Sequence, residues 1–144
     1  MSSVSRRASR VFAMQVLYAM EVTASSPGEV LPGVLNSMPI QDELKNYGMS
    51  LVDLALEHRE ELLEIINSLS HEWSLDRMPI LDKTLLKIAF VEFLYKTEVP
   101  TKVIISEAVQ IANKYSTSDS ARFINGILDA YAKNKKMIPN QDED

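Results

Sequence analysis

Ile80-Leu81-Asp82-Lys83-Thr84-Leu85-Leu86-Lys87-Ile88-Ala89-Phe90-Val91-Glu92-Phe93-Leu94-Tyr95 is apolar on nearly every side of the helix it would form. A helix without a broad wet face belongs at the centre of a bundle, where neighbours cover it all round. Val99-Pro100 ends the pattern, because proline disfavours the helical region for the residue before it. Beyond it, spacing predicts a helix from about Lys102 to Tyr115 and another from about Asp119 to Ala132. The polar cluster Ser116-Thr117-Ser118-Asp119 between them supplies a cap. On the other side, Gln41 to Leu69 carries the longest periodic pattern. Leu44, Gly48, Leu51, Ala55, Leu62, Ile66 and Leu69 share one stripe, with Glu57, Glu60, Glu61 and Glu64 on a wet face. Trp73 and Pro79 lie in the connection that follows. Ser26-Pro27-Gly28-Glu29 reads as a helix start, with a serine cap, a first-turn proline and a carboxylate three residues after the cap. The short helix it begins, Glu29 to about Asn36, is interrupted by Pro32-Gly33. A first helix spans about Ser5 to Thr23. The expectation is an all-α helical bundle of about six to seven helices in two subbundles, about residues 5–70 and 78–133. Residues 1–136 read as a single domain, and residues 137–144 as an acidic, fraying tail.

Composition narrows the function classes. The chain has 144 residues, 46% apolar and 24% charged, enough for a proper core. Four glycines and six prolines are too few for a loop-rich all-β protein. Cysteine is absent, which removes disulfides, thiolate metal sites and cysteine nucleophiles together. No apolar run approaches the roughly 18–20 residues of a membrane span, and the start lacks a signal-peptide pattern. The reading is a soluble cytoplasmic protein.

Nothing in the sequence asks for an enzyme, a metal or a cofactor. His58 and His71 are the two histidines and form no His-Glu-x-x-His pair. His58, beside Arg59 and Glu60, reads as solvated. Glycines at 28, 33, 48 and 126 build no phosphate-cradling loop. Charge segregation says more. The first twenty residues hold Arg6, Arg7 and Arg10 and no carboxylate, while the remainder has 12 basic against 20 acidic residues, a net −8. Local potential of this kind decides where a polyanion docks. The three arginines fall within about 100° of arc on a helix. Met14 and Leu17 share that arc, so the arginines are free only if they overhang the end of the core. Taken alone, the segment fits a nucleic-acid contact and a solvated helix end equally well. A second candidate is Ser118-Asp119-Ser120-Ala121-Arg122-Phe123-Ile124-Asn125-Gly126-Ile127-Leu128-Asp129, where Phe123 is either core or a stacking face for an unpaired base. Gly126 inside a helix costs about 1 kcal/mol against alanine, which predicts a close helix approach there.

Several motifs, in order, resemble the NusB family of bacterial transcription antitermination factors. They are Ala13-Met14-Gln15-Val16-Leu17-Tyr18 after the arginines, Leu81-Asp82-Lys83 through Leu85-Leu86-Lys87-Ile88-Ala89-Phe90-Val91-Glu92, Ile105-Ser106-Glu107-Ala108-Val109-Gln110-Ile111-Ala112, and Phe123-Ile124-Asn125-Gly126-Ile127-Leu128-Asp129. The resemblance runs from Arg6 to about Ala132. It implies a NusB-like fold of two helical subbundles and binding of single-stranded boxA RNA in ribosomal RNA leader transcripts. The partner would be NusE, a ribosomal small-subunit protein, within an antitermination complex on RNA polymerase with other Nus factors. It assigns phosphate contacts to Arg6, Arg7 and Arg10, and puts Tyr18, Asp82, Lys87, Asp119, Arg122 and Phe123 on or beside the RNA surface. The central helix and its neighbours would supply much of the NusE interface, which can pair two copies when NusE is missing. The chain departs from the family at Ala8-Ser9, where a further basic residue is usual, and at Ser106 and Asn113, which replace the usual Asn and Lys.

Three arginine–phosphate contacts on single-stranded RNA give a log–log salt slope of only about −2, so the resemblance makes a basic partner part of the expectation. Two rival readings are the RNA-binding helical domain of an rRNA 5-methylcytosine methyltransferase, as a fragment, and a protein–protein adaptor with a merely solvated basic start.

Overall fold

The computed structural model describes residues 3–135, so the acidic tail expected at 137–144 lies outside the described residues. Seven helices account for the described chain: α1 (Ser3–Thr23), α2 (Pro27–Ser37), α3 (Asp42–Glu57), α4 (Arg59–Leu69), α5 (Ile80–Tyr95), α6 (Thr101–Tyr115) and α7 (Ser118–Asn134). The all-α bundle is the one the periodicity predicts.

Helix α5 is the axle. It packs against α1, α3, α4, α6 and α7, and every residue from Thr84 to Phe93 is buried. Its two ends run opposite to α1, since Arg10 pairs with Glu92 while Glu21 pairs with Lys83. Helix α6 folds back along α5, with Ile104, Ala108 and Ile111 against Leu85, Ile88 and Ala89. Helix α7 returns along α6, and its Tyr131 ring meets Phe90 edge-on at 4.9 Å.

Local chemistry sets the helix ends. Ser26 forms a full capping box with Glu29: its hydroxyl accepts from the Glu29 amide, and the Glu29 carboxylate accepts from the Ser26 amide at 3.0 Å. That pair starts α2 at Pro27, two residues before the expected point, and α2 continues through Pro32. The chain leaves α1 through Ala24, whose φ of 53° is left-handed, with the Ser25 amide donating to the Met20 carbonyl at 3.1 Å. An alanine there costs about 1–2 kcal/mol relative to a right-handed residue.

Three expectations need correction. The Gln41–Leu69 pattern is two helices, broken at His58, whose φ of −109° and ψ of 25° leave the helical region. The apolar stripe survives the break because Ala55 and Leu62, seven apart, still face the core. His58 is half-buried rather than solvated, stacked on Tyr95 with ring centroids 4.2 Å apart. The close helix approach is at Gly48, not Gly126. A Cβ on Gly48 would meet the Ser9 carbonyl oxygen at 2.8 Å, whereas one on Gly126 would meet nothing within 4 Å. Ser9 is fully buried in this α1–α3 contact, and its hydroxyl donates to the Leu44 carbonyl at 2.8 Å.

Candidate nucleic-acid interface

The three arginines of α1 share an arc and meet three different fates. Met14 and Leu17 on that arc are core residues, so α1 turns this face inward as far up as Arg10. Arg10 is 2% exposed. Its Nε and Nη2 donate to the two oxygens of Glu92 at 2.7 and 2.9 Å, and its Nη1 donates to Glu107 at 3.2 Å. The Tyr47 hydroxyl donates to the same Glu92 at 2.8 Å. Burial alone would lower the Arg10 pKa, but the bonds to Glu92 and the nearby carboxylate charges outweigh it and raise the net value. Burial and the Glu92 charge push the Tyr47 phenol well above its ordinary range. Arg10 therefore does not overhang the core. The phosphate contact expected of it is not available from this position, because both faces of its fork are committed to carboxylates inside the bundle.

Arg7, one turn nearer the end, is 42% exposed. It lies across α6, bonded through Nε and Nη2 to Glu107 and through Nη2 to the Gln110 side chain at 2.6 Å. The Glu107 bond raises its pKa, so it stays charged throughout the usual range. Arg6 places its guanidinium 4.5 Å over the Tyr47 ring, with Glu98 at 3.8 Å. Lys96 also lies over that ring, at 5.1 Å.

A second group of candidates surrounds the first turn of α7. Thr117 caps that helix by accepting from the Ser120 amide at 3.0 Å. Asp119 and Arg122 pair on the exposed surface, a contact that stabilises little. Phe123 is 8% exposed, and the Trp73 indole meets it edge-on with centroids 4.8 Å apart. Trp73, from the α4–α5 connection, covers one side of the ring, and little of Phe123 is left open to solvent. Asp82, in the first turn of α5, is fully buried, and among the described residues neither oxygen meets a well-formed hydrogen bond. Burial pushes its pKa up, and the neighbouring Ser120 hydroxyl offsets part of the rise. Asp82 is therefore a core group rather than a surface contact.

Tyr18 and Lys87 sit apart from both groups. Tyr18 is 42% exposed, at the rim of an open groove between α1 and α2 that Gln15, Val30 and Gly33 also line. Lys87 is 8% exposed and opens into a separate cavity beside Glu21 and Arg59. Its position, too, is interior rather than on an open surface.

What the fold joins is a polar strip across α6. Arg7 reaches Gln110; Asn113, one turn on, lines an open groove with Ser118, Arg122 and Asn125 of α7. Gln110 is not legible from the sequence as a neighbour of Arg7, nor are Glu92, Glu107 and Tyr47 as partners of the arginines, while Asn113 enters the sequence reading only as the position where the family usually has lysine. One signal was available: Glu92 stands in Phe90-Val91-Glu92-Phe93, and a carboxylate in so apolar a run requires a buried cation. Among the described residues no three His, Asp or Glu side chains converge as a metal site, and no helix is long and apolar enough to cross a membrane.

A sequence model described as the NusB family matches residues 7–133. The transcription antitermination protein NusB of Chloroherpeton thalassium is 40% identical over 128 residues, which cover 88% of this chain and 61% of that protein. The NusB of Salinispora arenicola is 40% identical over 131 residues, covering 90% of this chain and 96% of that one. A solved structure of the antitermination factors NusB and NusE in complex with double-stranded RNA superposes with a TM-score of 0.82 at 27% identity, covering 90% of this chain and 97% of its counterpart. With the family model spanning residues 7–133, from the arginine end of α1 through the α7 turn, and relatives 40% identical over most of the chain, the chain belongs to the NusB family.

Proposed function

We propose that this chain is a transcription antitermination factor that binds boxA-type single-stranded RNA of ribosomal RNA leader transcripts jointly with NusE. It acts by binding, without catalysis, in the cytoplasm, as part of the RNA polymerase complex with other Nus factors. The observation that carries the reading is the family match over residues 7–133, which includes every candidate contact but Arg6. The solved relative with NusE and RNA supports the same partnership.

On this chain the RNA path we favour runs along the strip from Arg7 over Gln110 and Asn113 to Arg122, with Asp119 and Phe123 at its far end. Arg7 and Arg122 are the cations with exposed guanidinium groups on that strip. Two phosphate contacts give a log–log salt slope of about −1.4. On a chain of net charge −5 this is weak binding, and a basic partner that extends the surface makes it useful. Tyr18, Lys87, Asp82 and Arg6 lie off this path.

The test is titration of a boxA-like single strand with the protein, with and without NusE, at several salt concentrations. Arg7→Ala and Arg122→Ala are each expected to weaken binding and to flatten the slope by about 0.7. Unchanged affinity and slope in both variants, measured with NusE present, would remove the strip from the RNA path. Absence of RNA binding even with NusE would favour the adaptor reading instead.

A further inference from the structure

Between the C-terminal half of α1, the end of α3, the start of α4 and the middle of α5 lies a cavity of about 200 Å³. That is several times the roughly 30 Å³ share of one water. Lys87 enters it from α5 and Arg59 from the first residue of α4. Neither side chain has a hydrogen bond or ion pair among the described residues. Lys83, one turn before Lys87, adds a third positive charge that acts on the same site. The one carboxylate lining the cavity, Glu21, is bound by Lys83 at 3.5 Å. The site thus holds an excess of two cations in a chain whose net charge is −5.

That arrangement is costly without an occupant. Burial holds the Lys87 ammonium below its ordinary range, and the charges of Arg59 and Lys83 act in the same direction against Glu21. A desolvated, unpaired ammonium is among the least favourable groups a core can carry. The remaining walls are largely apolar, Leu17 and Leu56 among them. An apolar wall weakens dielectric screening and strengthens any ion pair formed inside. An ammonium and a guanidinium converging on one space provide the donors a multiply charged oxyanion uses.

We propose that this cavity is an oxyanion-binding site, taking a phosphate group between Lys87 and Arg59. The phosphate can be free in solution or belong to an RNA strand, and both share this chemistry. The site lies away from the Arg7–Arg122 strip and does not depend on that strip being the RNA path.

The probe is inorganic phosphate, titrated against the full chain at constant ionic strength with chloride as the balancing anion, followed by heteronuclear NMR. Wild-type protein is expected to show saturable shifts centred on residues 55–59 and 83–87. Lys87→Met keeps the buried stem and removes the charge, and is expected to weaken phosphate about ten-fold or more. Arg59→Gln, at an exposed position, tests the same site without touching the core, and Lys102→Met on α6 is the unchanged control. Phosphate also stabilises proteins by surface exclusion. For that reason the deciding quantity is the difference between Lys87→Met or Arg59→Gln and wild type. Shifts that never saturate, or equal affinity in wild type and both variants, would overturn the proposal. In a parallel arm, boxA-like RNA is titrated with and without phosphate. Competition lost in Lys87→Met identifies the occupant as an RNA phosphate, and RNA affinity unaffected by either identifies a free oxyanion.

Discussion

Arg10 is the most completely buried of the three arginines, and the expected cost of removing it can be worked from its contacts. Arg10→Met retains a long side chain and deletes the guanidinium. Glu92, 1% exposed, then loses two charge-assisted bonds and keeps only the Tyr47 hydroxyl. Glu107 loses one bond and keeps Arg7. Breaking a buried pair by removing one partner costs about 3–5 kcal/mol, because a charge is left uncompensated. For a domain of this size that is roughly a 10–15 °C fall in Tm. Glu92→Met is expected to cost a similar amount by stranding Arg10. The double variant Arg10→Met, Glu92→Met removes both charges, and replacing a buried pair by apolar residues is often neutral or better. The Tyr47 hydroxyl then loses its acceptor, worth about 1 kcal/mol. The double variant should therefore sit within about 1–2 kcal/mol of wild type, a coupling energy of several kcal/mol between positions 82 residues apart. Urea denaturation of the four proteins measures this. Single variants that lose less than about 1 kcal/mol, or a double variant whose losses simply add, would refute the buried-pair reasoning. RNA affinity supplies a second check. The folded double variant should bind boxA-like RNA with NusE as wild type does, and a loss as large as that of Arg7→Ala would return Arg10 to the phosphate contacts.

Two further outcomes follow from single side chains and glycines. Because burial raises the Asp82 pKa, the native protein releases that proton at higher pH than the unfolded chain, whose ordinary value is 3.8. The contribution is intact below pH 3.8 and is lost as pH rises through the native pKa. Asp82→Asn should therefore raise the urea midpoint at pH 7 and leave it unchanged at pH 3; a variant no more stable than wild type at pH 7 would contradict this. Gly48→Ala should destabilise by about 1–3 kcal/mol through the clash with the Ser9 carbonyl, while Gly126→Ala should stabilise by about 1 kcal/mol. Thermal melts of the two variants must move in opposite directions.

The sequence by itself determined which segments are helical, several of the helix ends, and which helix sits at the centre, but not the break at His58. Ser26 with Glu29, Thr117 before Ser118 and proline after Val99 act on backbone groups within a turn, so their effects are written locally. The all-round apolar character of Ile80–Tyr95 likewise left that segment one place to go. Family motifs spread along the chain carried the function in the same linear way.

Only the tertiary structure decided what each candidate side chain meets. Periodicity fixes the angle at which a residue leaves its helix. It does not say which neighbour covers that angle or how far along the axis the core extends. Arg7 and Arg10 share a face, yet only Arg10 lies deep enough for Glu92 to close over it. Gly48 and Gly126 are both helical glycines, but only the first has another helix pressed against it. The partners that sort these cases lie about 35–100 residues away. Such contacts are made by the packing of α1, α3, α5 and α6 against one another, and a single helix cannot encode which of its polar residues that packing will seal inside.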